Sequence, residues 1–162
     1  MKARSEVTLR AALPEDAPTI AEIWHRGWRD GHLGFVSQEL IRARHEYSFR
    51  TRAAKRVNDT TVALIQGQIA GFVMVVDDEV EQIYVSALHR GEGVADLLMA
   101  EAERRIKDAG YSSAWLAVVA GNARARRFYE RCSWSDGGQF EYAAAGDHGP
   151  IPVPSHRYLK DL

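Results

Sequence analysis

A strand, a helix and a second strand follow one another in the middle of this chain, and this pattern constrains the fold more than any other feature. Residues 80–88 are rich in β-branched and aromatic side chains, which predicts a strand. Residues 93–109 place apolar side chains at helical spacing and stop before Gly110, a typical C-terminal cap. Residues 115–119 are continuously apolar and predict a buried strand. Since a helix joins the two strands, we expect them to lie parallel, connected by a right-handed crossover.

The segments on either side of this crossover predict antiparallel strands. Further strands are predicted at residues 7–10, 60–65, 69–76, 140–144 and 153–159. Tight turns at residues 66–68 and 77–79 indicate hairpins. Helices are predicted after Pro14, over residues 37–55 with Ser37 as cap, and over 123–131, whereas the glycine and aromatic residues of 27–35 indicate a loop. The predicted fold is therefore α/β: a mixed, mostly antiparallel central sheet with one parallel βαβ crossover and helices on both faces.

Composition limits the classes of function that this chain can serve. With 162 residues and no repeat or flexible linker, we expect one domain over residues 1–162. The formal net charge of −1 supplies no basic field for nucleic acid, so we expect no nucleic-acid partner. No apolar run is long enough to span a bilayer, and the single cysteine, Cys132, fits a reducing compartment; we therefore expect a cytoplasmic protein without a membrane partner. The six histidines lack metal-ligand spacing, so no metal is predicted.

A glycine-bearing loop joins the strand at 80–88 to the following helix. The first N–H groups of a helix have no partner within the helix and carry partial positive charge, so they can bind an anion that approaches closely. Gly91, Gly93 and the small Ala95 permit that approach, which predicts a phosphate or pyrophosphate site. Two glycines alone are also explained by an ordinary turn. A Walker loop is absent, and Asp96 stands where a dinucleotide-binding fingerprint needs a small residue.

Two blocks of sequence resemble one enzyme family. Residues 90–95, Arg-Gly-Glu-Gly-Val-Ala, resemble the R/Q-x-x-G-x-G/A motif of the GNAT superfamily of N-acetyltransferases. Residues 122–134 resemble the family pattern N-x-x-A-x-x-F-Y-x-x-x-G-F, with Ser133 in place of the glycine. The resemblance implies a GNAT-like fold, acetyl-CoA as cosubstrate, and transfer of the acetyl group to a primary amine by direct attack.

The resemblance also implies which residues bind acetyl-CoA. They are Ile83, Tyr84, Val85, His89, Arg90, Gly91, Glu92, Gly93, Val94, Ala95, Asn122, Ala125 and Phe128. The N–H group near Val85 would polarise the acetyl oxygen, and Tyr129 would donate a proton or a hydrogen bond to the departing sulfur. Packing alone could also explain Tyr129, which shares a helical face with Asn122. Asn122 could serve only as a helix N-cap, or could combine that role with a cofactor contact.

The acceptor site has candidate residues in two regions. Glu81 is the candidate general base, because it lies on the strand that approaches the acetyl site. It belongs to an acidic cluster at residues 77–81, and a solvated hairpin turn explains the other acidic residues of that cluster. Trp28, His32 and Phe35 are candidate walls and polar contacts of an amine pocket, although such aromatic side chains can also fold inward as packing.

Several functions remain compatible with this sequence. The predicted acceptor is a small-molecule amine. Transfer of a different acyl group and acetylation of a protein or peptide are the enzymatic alternatives, and a non-catalytic acyl-CoA-binding module is an alternative of another class. The family resemblance also makes a homodimer an expectation.

Overall fold

A computed structural model describes residues 5–162, which form one seven-stranded sheet with five α-helices around it. The strands are β1 Val7–Ala11, β2 Thr60–Ile65, β3 Gln68–Val76, β4 Glu79–Val85, β5 Ser113–Val119, β6 Ser135–Ala144 and β7 Ile151–Asp161. The helices are α1 Ala17–His32, α2 Gln38–Ala43, α3 Glu46–Lys55, α4 Val94–Asp108 and α5 Ala123–Arg131. The strand order is β1-β2-β3-β4-β5-β7-β6, so consecutive strands are neighbours as far as β5.

One strand pair is parallel, and it lies in the middle of the sheet. β4 and β5 run parallel and are joined by α4, whereas every other neighbouring pair is antiparallel. This arrangement confirms the predicted mixed, mostly antiparallel sheet with a single βαβ crossover.

Two apolar cores lie on opposite faces of the sheet. On one face, Trp24 of α1 and Phe49 of α3 pack against Phe72 of β3, with all three side chains fully buried. On the other face, Leu98 and Ile106 of α4 pack against the alternate side chains of the same strands. Successive side chains of a strand point to opposite faces, so each central strand supplies both cores. The prediction of helices on both faces is confirmed.

The predicted hairpin turns are confirmed. Gln66 and Gly67 connect β2 to β3 with φ values of 51° and 77°, the left-handed conformation that a tight two-residue hairpin requires. Asp77 begins the connection from β3 to β4 with φ 53°. The short connections hold β2, β3 and β4 as a continuous antiparallel meander.

The predicted loop over residues 27–35 is wrong, because α1 continues to His32. A Cβ atom on Gly27 would lie 2.3 Å from the Tyr84 ring, and one on Gly31 would lie 2.7 Å from the Asn122 side-chain nitrogen. The two glycines thus permit close packing of a helix instead of ending it. Sequence alone could not distinguish these two uses of glycine, since the neighbours are distant in sequence.

Three other element boundaries differ from the sequence prediction. The helix predicted at 37–55 is two helices, because the chain turns at residues 44–45 and His45 caps α3 by accepting from the Ser48 N–H. Ser37 caps α2 as predicted, at 3.2 Å from the Leu40 nitrogen. The strand predicted at 80–88 ends at Val85 in a short 3₁₀ turn. β6 and β7 are longer than predicted, since pairing with each other extends both strands.

At the end of α5, Ser133 stands where the family pattern has glycine. Ser133 has φ 69°, the left-handed conformation in which glycine is usual. The conformation costs a residue with a Cβ atom about 1 kcal/mol. It lets the Trp134 N–H donate to the Tyr129 carbonyl at 3.0 Å, which turns the chain from α5 into β6. This turn fixes Trp134 in the core beside α5.

Candidate active site

The site is a cleft that opens where β4 and β5 stop pairing. The two strands are in register only at Glu79 and Trp115, and the Trp115 N–H donates to the Asp78 carbonyl at 3.0 Å. Beyond this point, β4 and β5 line opposite sides of a cavity of about 760 Å³. A gap in the middle of a sheet exposes backbone donors and acceptors that elsewhere would be paired across the ladder.

A bulge in β4 accompanies this separation. Met74 of β3 is opposite Gln82, but the next residue, Val75, is opposite Val80, so Glu81 is the additional residue. A bulge bends its strand and increases the local twist. Glu81 therefore lies at the position where β4 leaves the line of β5.

The backbone of β4 presents a donor to the cleft. The Ser86 N–H donates to the Ala70 carbonyl of β3 at 2.8 Å. Backbone N–H groups alternate in direction along a strand, so the Val85 N–H, one residue earlier, faces away from β3 and towards the gap. It can thus donate to a ligand oxygen in the cleft.

The N-terminus of α4 forms one wall of the cleft. Its N-cap, Gly93, has φ 81° and supplies no side-chain acceptor to the first turn. Gly91 is also left-handed, with φ 80°. The first N–H groups of α4 are consequently available to an anion. Four arginines also line the cavity, Arg90 just before α4 and Arg124, Arg127 and Arg131 on α5.

Most of the residues predicted for the site line this cavity. They are Trp28, His32, Glu81, Ile83, Tyr84, Val85, His89, Arg90, Gly91, Gly93, Val94, Ala95, Asn122, Ala125, Phe128 and Tyr129. Two predicted residues lie outside the lining. Glu92 bonds to His89 at 3.1 Å, and Phe35 is 51% exposed and packs against Gly121. α1 ends at His32, and Phe35 follows three residues later in a turn that does not line the cavity.

Asn122 and Tyr129 are both held on α5. The Asn122 side chain accepts from the Ala125 N–H at 3.3 Å, which confirms the N-cap. The Tyr129 ring packs between Phe128 and Tyr158, and within residues 5–162 its hydroxyl has no hydrogen-bond partner. Burial raises the pKa of the Tyr129 phenol above its usual value, with smaller effects from Cys132 and Tyr158. The group is therefore a proton-bearing donor at neutral pH.

His32 and Trp28 form the α1 wall of the cavity. Their rings stack with centroids 4.7 Å apart, and His32 Nδ1 lies 2.8 Å from the Trp28 carbonyl. Because a carbonyl only accepts, Nδ1 carries the proton and Nε2 remains an acceptor. Burial lowers the pKa of His32 to about 4, so the ring is neutral at physiological pH.

The two glutamates of β4 differ in their partners. Glu81 is held by Arg56, with 2.5 Å between Oε2 and the guanidinium nitrogen. Among residues 5–162, the Glu79 carboxylate accepts one hydrogen bond, from the Tyr142 hydroxyl at 3.0 Å, and burial raises the pKa of Glu79 to about 7 against the effect of that hydrogen bond. The expectation that a solvated turn explains Glu79 is wrong, because β6 covers this carboxylate.

The sequence is also related to known proteins. The model of the "Acetyltransferase (GNAT) family" matches residues 18–134, which is well over half of the chain. The chain belongs to this family. The match confirms the resemblance carried by the two motifs and the prediction of an acyltransferase. Among curated proteins, no match is found.

Solved structures share the fold of this GNAT chain over nearly its whole length. A GCN5-related N-acetyltransferase from Rhodopseudomonas palustris has a TM-score of 0.77 and 21% identity, covering 100% of this chain and 99% of that one. A putative acetyltransferase from Acinetobacter baylyi ADP1 has a TM-score of 0.73 and 19% identity, covering 100% and 95%. YncA from Salmonella typhimurium, a putative acetyltransferase solved with acetyl-CoA, has a TM-score of 0.69 and 17% identity, covering 98% and 95%.

The structure of this GNAT chain adds residues that sequence reasoning missed. Arg44, Arg52, Arg56, Glu79 and Tyr142 all line the cavity. Three of them lie on α3 or just outside the ends of α2 and α3, and the sequence shows only that this stretch is rich in arginine. Their convergence on one cavity depends on how α2 and α3 pack over the sheet. None of the helices described for residues 5–162 is long and apolar enough to cross a membrane.

The raised pKa of Glu79 makes the stability of this chain depend on pH. Between the ordinary glutamate pKa of 4.5 and about 7, the unfolded chain loses a proton that folded Glu79 retains, so stability falls as the pH rises through this window. Glu79→Gln removes the titrating group and therefore this loss of folding stability. The variant should have a free energy of unfolding about 1–3 kcal/mol above that of the wild type at pH 8. At pH 4 the two chains should be equally stable. Urea unfolding at both pH values measures the difference, and equal stability at pH 8 would show that Glu79 is not buried as described.

Proposed function

We propose that this chain transfers the acetyl group of acetyl-CoA to a primary amine of a small molecule, by direct attack within one ternary complex. The observation that carries the proposal is a single cavity that joins the free N-terminus of α4, the unpaired edge of β4 and the Tyr129 hydroxyl. Anion binding, carbonyl polarisation and leaving-group stabilisation would each have a donor in that cavity. We further propose that residues 1–162 act as one catalytic domain.

The cleft fits the chemistry of acetyl-CoA. Its diphosphate would bind the N–H groups of Val94 and Ala95, where Gly93 supplies no competing side chain. The side chain of Arg90 lies 3.1 Å from Asp30, and this exposed pair could open to a phosphate. The Salmonella relative was solved with acetyl-CoA, and a relative from Thermoplasma acidophilum with coenzyme A, which supports the same cosubstrate here. When bound, acetyl-CoA supplies the activated acyl group.

Glu79 is the better candidate for the general base. The base must accept a proton from the amine nitrogen as the new C–N bond forms. Glu81, predicted from sequence for this role, has its carboxylate occupied by Arg56. The pKa of Glu79 is about 7. At neutral pH such a carboxylate is partly ionised, so it can accept a proton, and it holds that proton better than an ordinary glutamate does. We therefore assign the proton to Glu79, reached directly or through water, and assign to Glu81 the positioning of Arg56.

Two groups would stabilise the charge that moves during transfer. The Val85 N–H, which faces the gap, would donate to the acetyl oxygen as negative charge develops there. The C–S bond then breaks, and the Tyr129 hydroxyl would donate a hydrogen bond to the departing sulfur. Burial raises the pKa of this phenol, so hydrogen bonding rather than full proton transfer is the role that its chemistry supports.

Glycine at the start of α4 should be essential for cosubstrate binding. Gly93→Glu places a side chain and a negative charge at the proposed diphosphate site, so the dissociation constant of acetyl-CoA should rise at least about 30-fold. Gly67→Glu is a matched control, since Gly67 has nearly the same φ, 77°, in a hairpin turn that does not line the cavity. Calorimetry on both variants measures the effect. Equal affinities in the two variants would contradict the proposed site.

Acetyl transfer should depend on the ionised form of Glu79. The wild type should release coenzyme A thiol in the presence of small primary amines, with kcat/KM rising as the pH passes about 7. Glu79→Gln should lower kcat/KM by about 10²- to 10⁴-fold. It should also remove the rise of kcat/KM with pH, apart from any rise that comes from deprotonation of the amine substrate itself. Acetyl-CoA binding without thiol release for any amine or peptide would instead indicate a non-catalytic acyl-CoA-binding module. Release with peptides alone would indicate a peptide acetyltransferase.

Tyr129→Phe should separate catalysis from binding. The variant keeps the ring that packs against Phe128 and Tyr158 but loses the hydroxyl, so kcat should fall about 10-fold or more while the acetyl-CoA dissociation constant changes less than 3-fold. Steady-state thiol release and calorimetry give the two quantities. Unchanged kcat would leave Tyr129 with a packing role only.

A further inference from the structure

Two arginines, one buried and one partly buried, line the cavity without an acidic partner. Arg44, directly after α2, is only 7% exposed, and Arg52 lies on α3 with its guanidinium 4.5 Å above the Trp24 ring. In the described part of the chain, neither guanidinium makes a hydrogen bond or an ion pair with another side chain. An arginine in such surroundings normally has a carboxylate partner, because burial of an unpaired charge is costly.

The nearest charges increase this cost. Burial, together with repulsion from Arg44 and Arg56, lowers the pKa of Arg52 to about 10. Burial also lowers the pKa of Arg44, and Asp147 opposes this effect without reaching ion-pair distance. Glu81 acts favourably on Arg52, but its carboxylate is already held by Arg56. The pair Arg44 and Arg52 is therefore short of one negative charge.

The two arginines are separate from the cations of the proposed diphosphate site. They lie with α1, α2 and α3 on one face of the sheet, whereas α4 packs on the opposite face. Tyr84 and Tyr142 lie close enough to Arg44 to influence its pKa, and the Tyr142 hydroxyl donates a hydrogen bond to Glu79. Arg44 and Arg52 are thus at the end of the cavity where the acceptor amine would meet Glu79.

We propose that the acceptor is a small amino acid, whose carboxylate is bound by Arg44 and Arg52 while its amino group lies beside Glu79. This inference rests on the proposed acetyl transfer and names its substrate class. The planar guanidinium matches a carboxylate with two parallel hydrogen bonds, and a carboxylate supplies the missing negative charge. The amino group, cationic in solution, approaches the acidic end of β4. The two ends of an amino acid therefore complement the two kinds of charge in this part of the cleft.

Paired acceptors test the substrate class. Thiol release from acetyl-CoA is measured with the wild type for a set of free amino acids, their carboxamides and the corresponding decarboxylated amines. At least one amino acid should have a kcat/KM about 30-fold or more above that of its carboxamide and its amine, because these leave the arginines unpaired. Equal or better use of the uncharged analogues, or of peptides, would overturn the inference and leave acetyl transfer standing. No release with any acceptor would contradict the proposed function and the inference together.

Neighbouring arginines provide matched controls for the assignment of the residues. Arg44→Met and Arg52→Met are compared with Arg42→Met and Arg50→Met, which change exposed arginines two residues away. The first two variants should raise KM for the amino acid about 30-fold or more and remove the preference over the decarboxylated amine, with KM for acetyl-CoA unchanged. The control variants should behave like the wild type. A rise in KM for acetyl-CoA, or an equal loss for charged and uncharged acceptors, would overturn the assignment.

Thermal unfolding without ligand tests whether the Arg44→Met variant still folds. Arg44→Met removes an unpaired buried charge and keeps an unbranched apolar stem in its place, so its unfolding temperature should equal or exceed that of the wild type. The amino acid, added with coenzyme A, should raise the unfolding temperature of the wild type but not of Arg44→Met. A lower unfolding temperature for Arg44→Met without ligand would show that Arg44 serves the fold and would overturn the proposal.

Discussion

The structure depends on the loss of pairing between β4 and β5 after a single register position, Glu79 with Trp115. β5 remains part of the sheet because it pairs with β7 along its whole length, from Ser113 to Val119. β4 likewise keeps β3 as its partner, apart from the bulge at Glu81. The sheet therefore opens in its middle while both strands stay anchored on their outer sides. The fold thus creates a cavity in the middle of the sheet, lined by the unpaired edges of β4 and β5, while each strand keeps a partner on its other side.

The open sheet explains why the site draws on elements that are distant in sequence. The crossover helix α4 must begin at the end of β4, so its unpaired N–H groups face the same gap as the β4 backbone. α5 begins after β5 and brings Asn122 and Tyr129 to the other side. The long α1 closes one face, because Gly27 and Gly31 allow it to approach Tyr84 and Asn122. Each wall of the cleft is therefore a consequence of the same strand separation.

Charge in the cleft is organised locally, although the chain as a whole is nearly neutral. The pairing of Glu81 with Arg56 leaves Glu79, whose pKa burial raises to about 7, as the carboxylate without a paired cation among the residues that the structure describes, and leaves Arg52 without that partner. The same ion pair thus defines both the proposed base and the proposed carboxylate site. A hydrogen bond from Tyr142 keeps Glu79 in place and connects it to the surroundings of Arg44. The proposed base, Glu79, and the proposed carboxylate-binding residue, Arg44, are thus both neighbours of Tyr142.

The sequence by itself determined the order of the strands, the parallel crossover, the glycine-bearing loop before α4 and the caps at Ser37 and Asn122. These features depend on periodicity, glycine placement and capping residues within a few positions of each other, all of which are visible in one stretch of chain. Most of the predicted cofactor residues line the cavity for this reason.

Only the tertiary structure decided the continuation of α1 through its glycines, the exclusion of Phe35 from the cavity, the pairing of Glu81 with Arg56 and the lack of an ion-pair partner for Arg44 among the described residues. These depend on burial and on partners far away in sequence: Arg56 and Glu81 are 25 positions apart, and Tyr142 and Glu79 are 63 apart. The charge and pKa of a side chain are set by the groups packed around it, and packing between distant segments leaves no local pattern in the sequence.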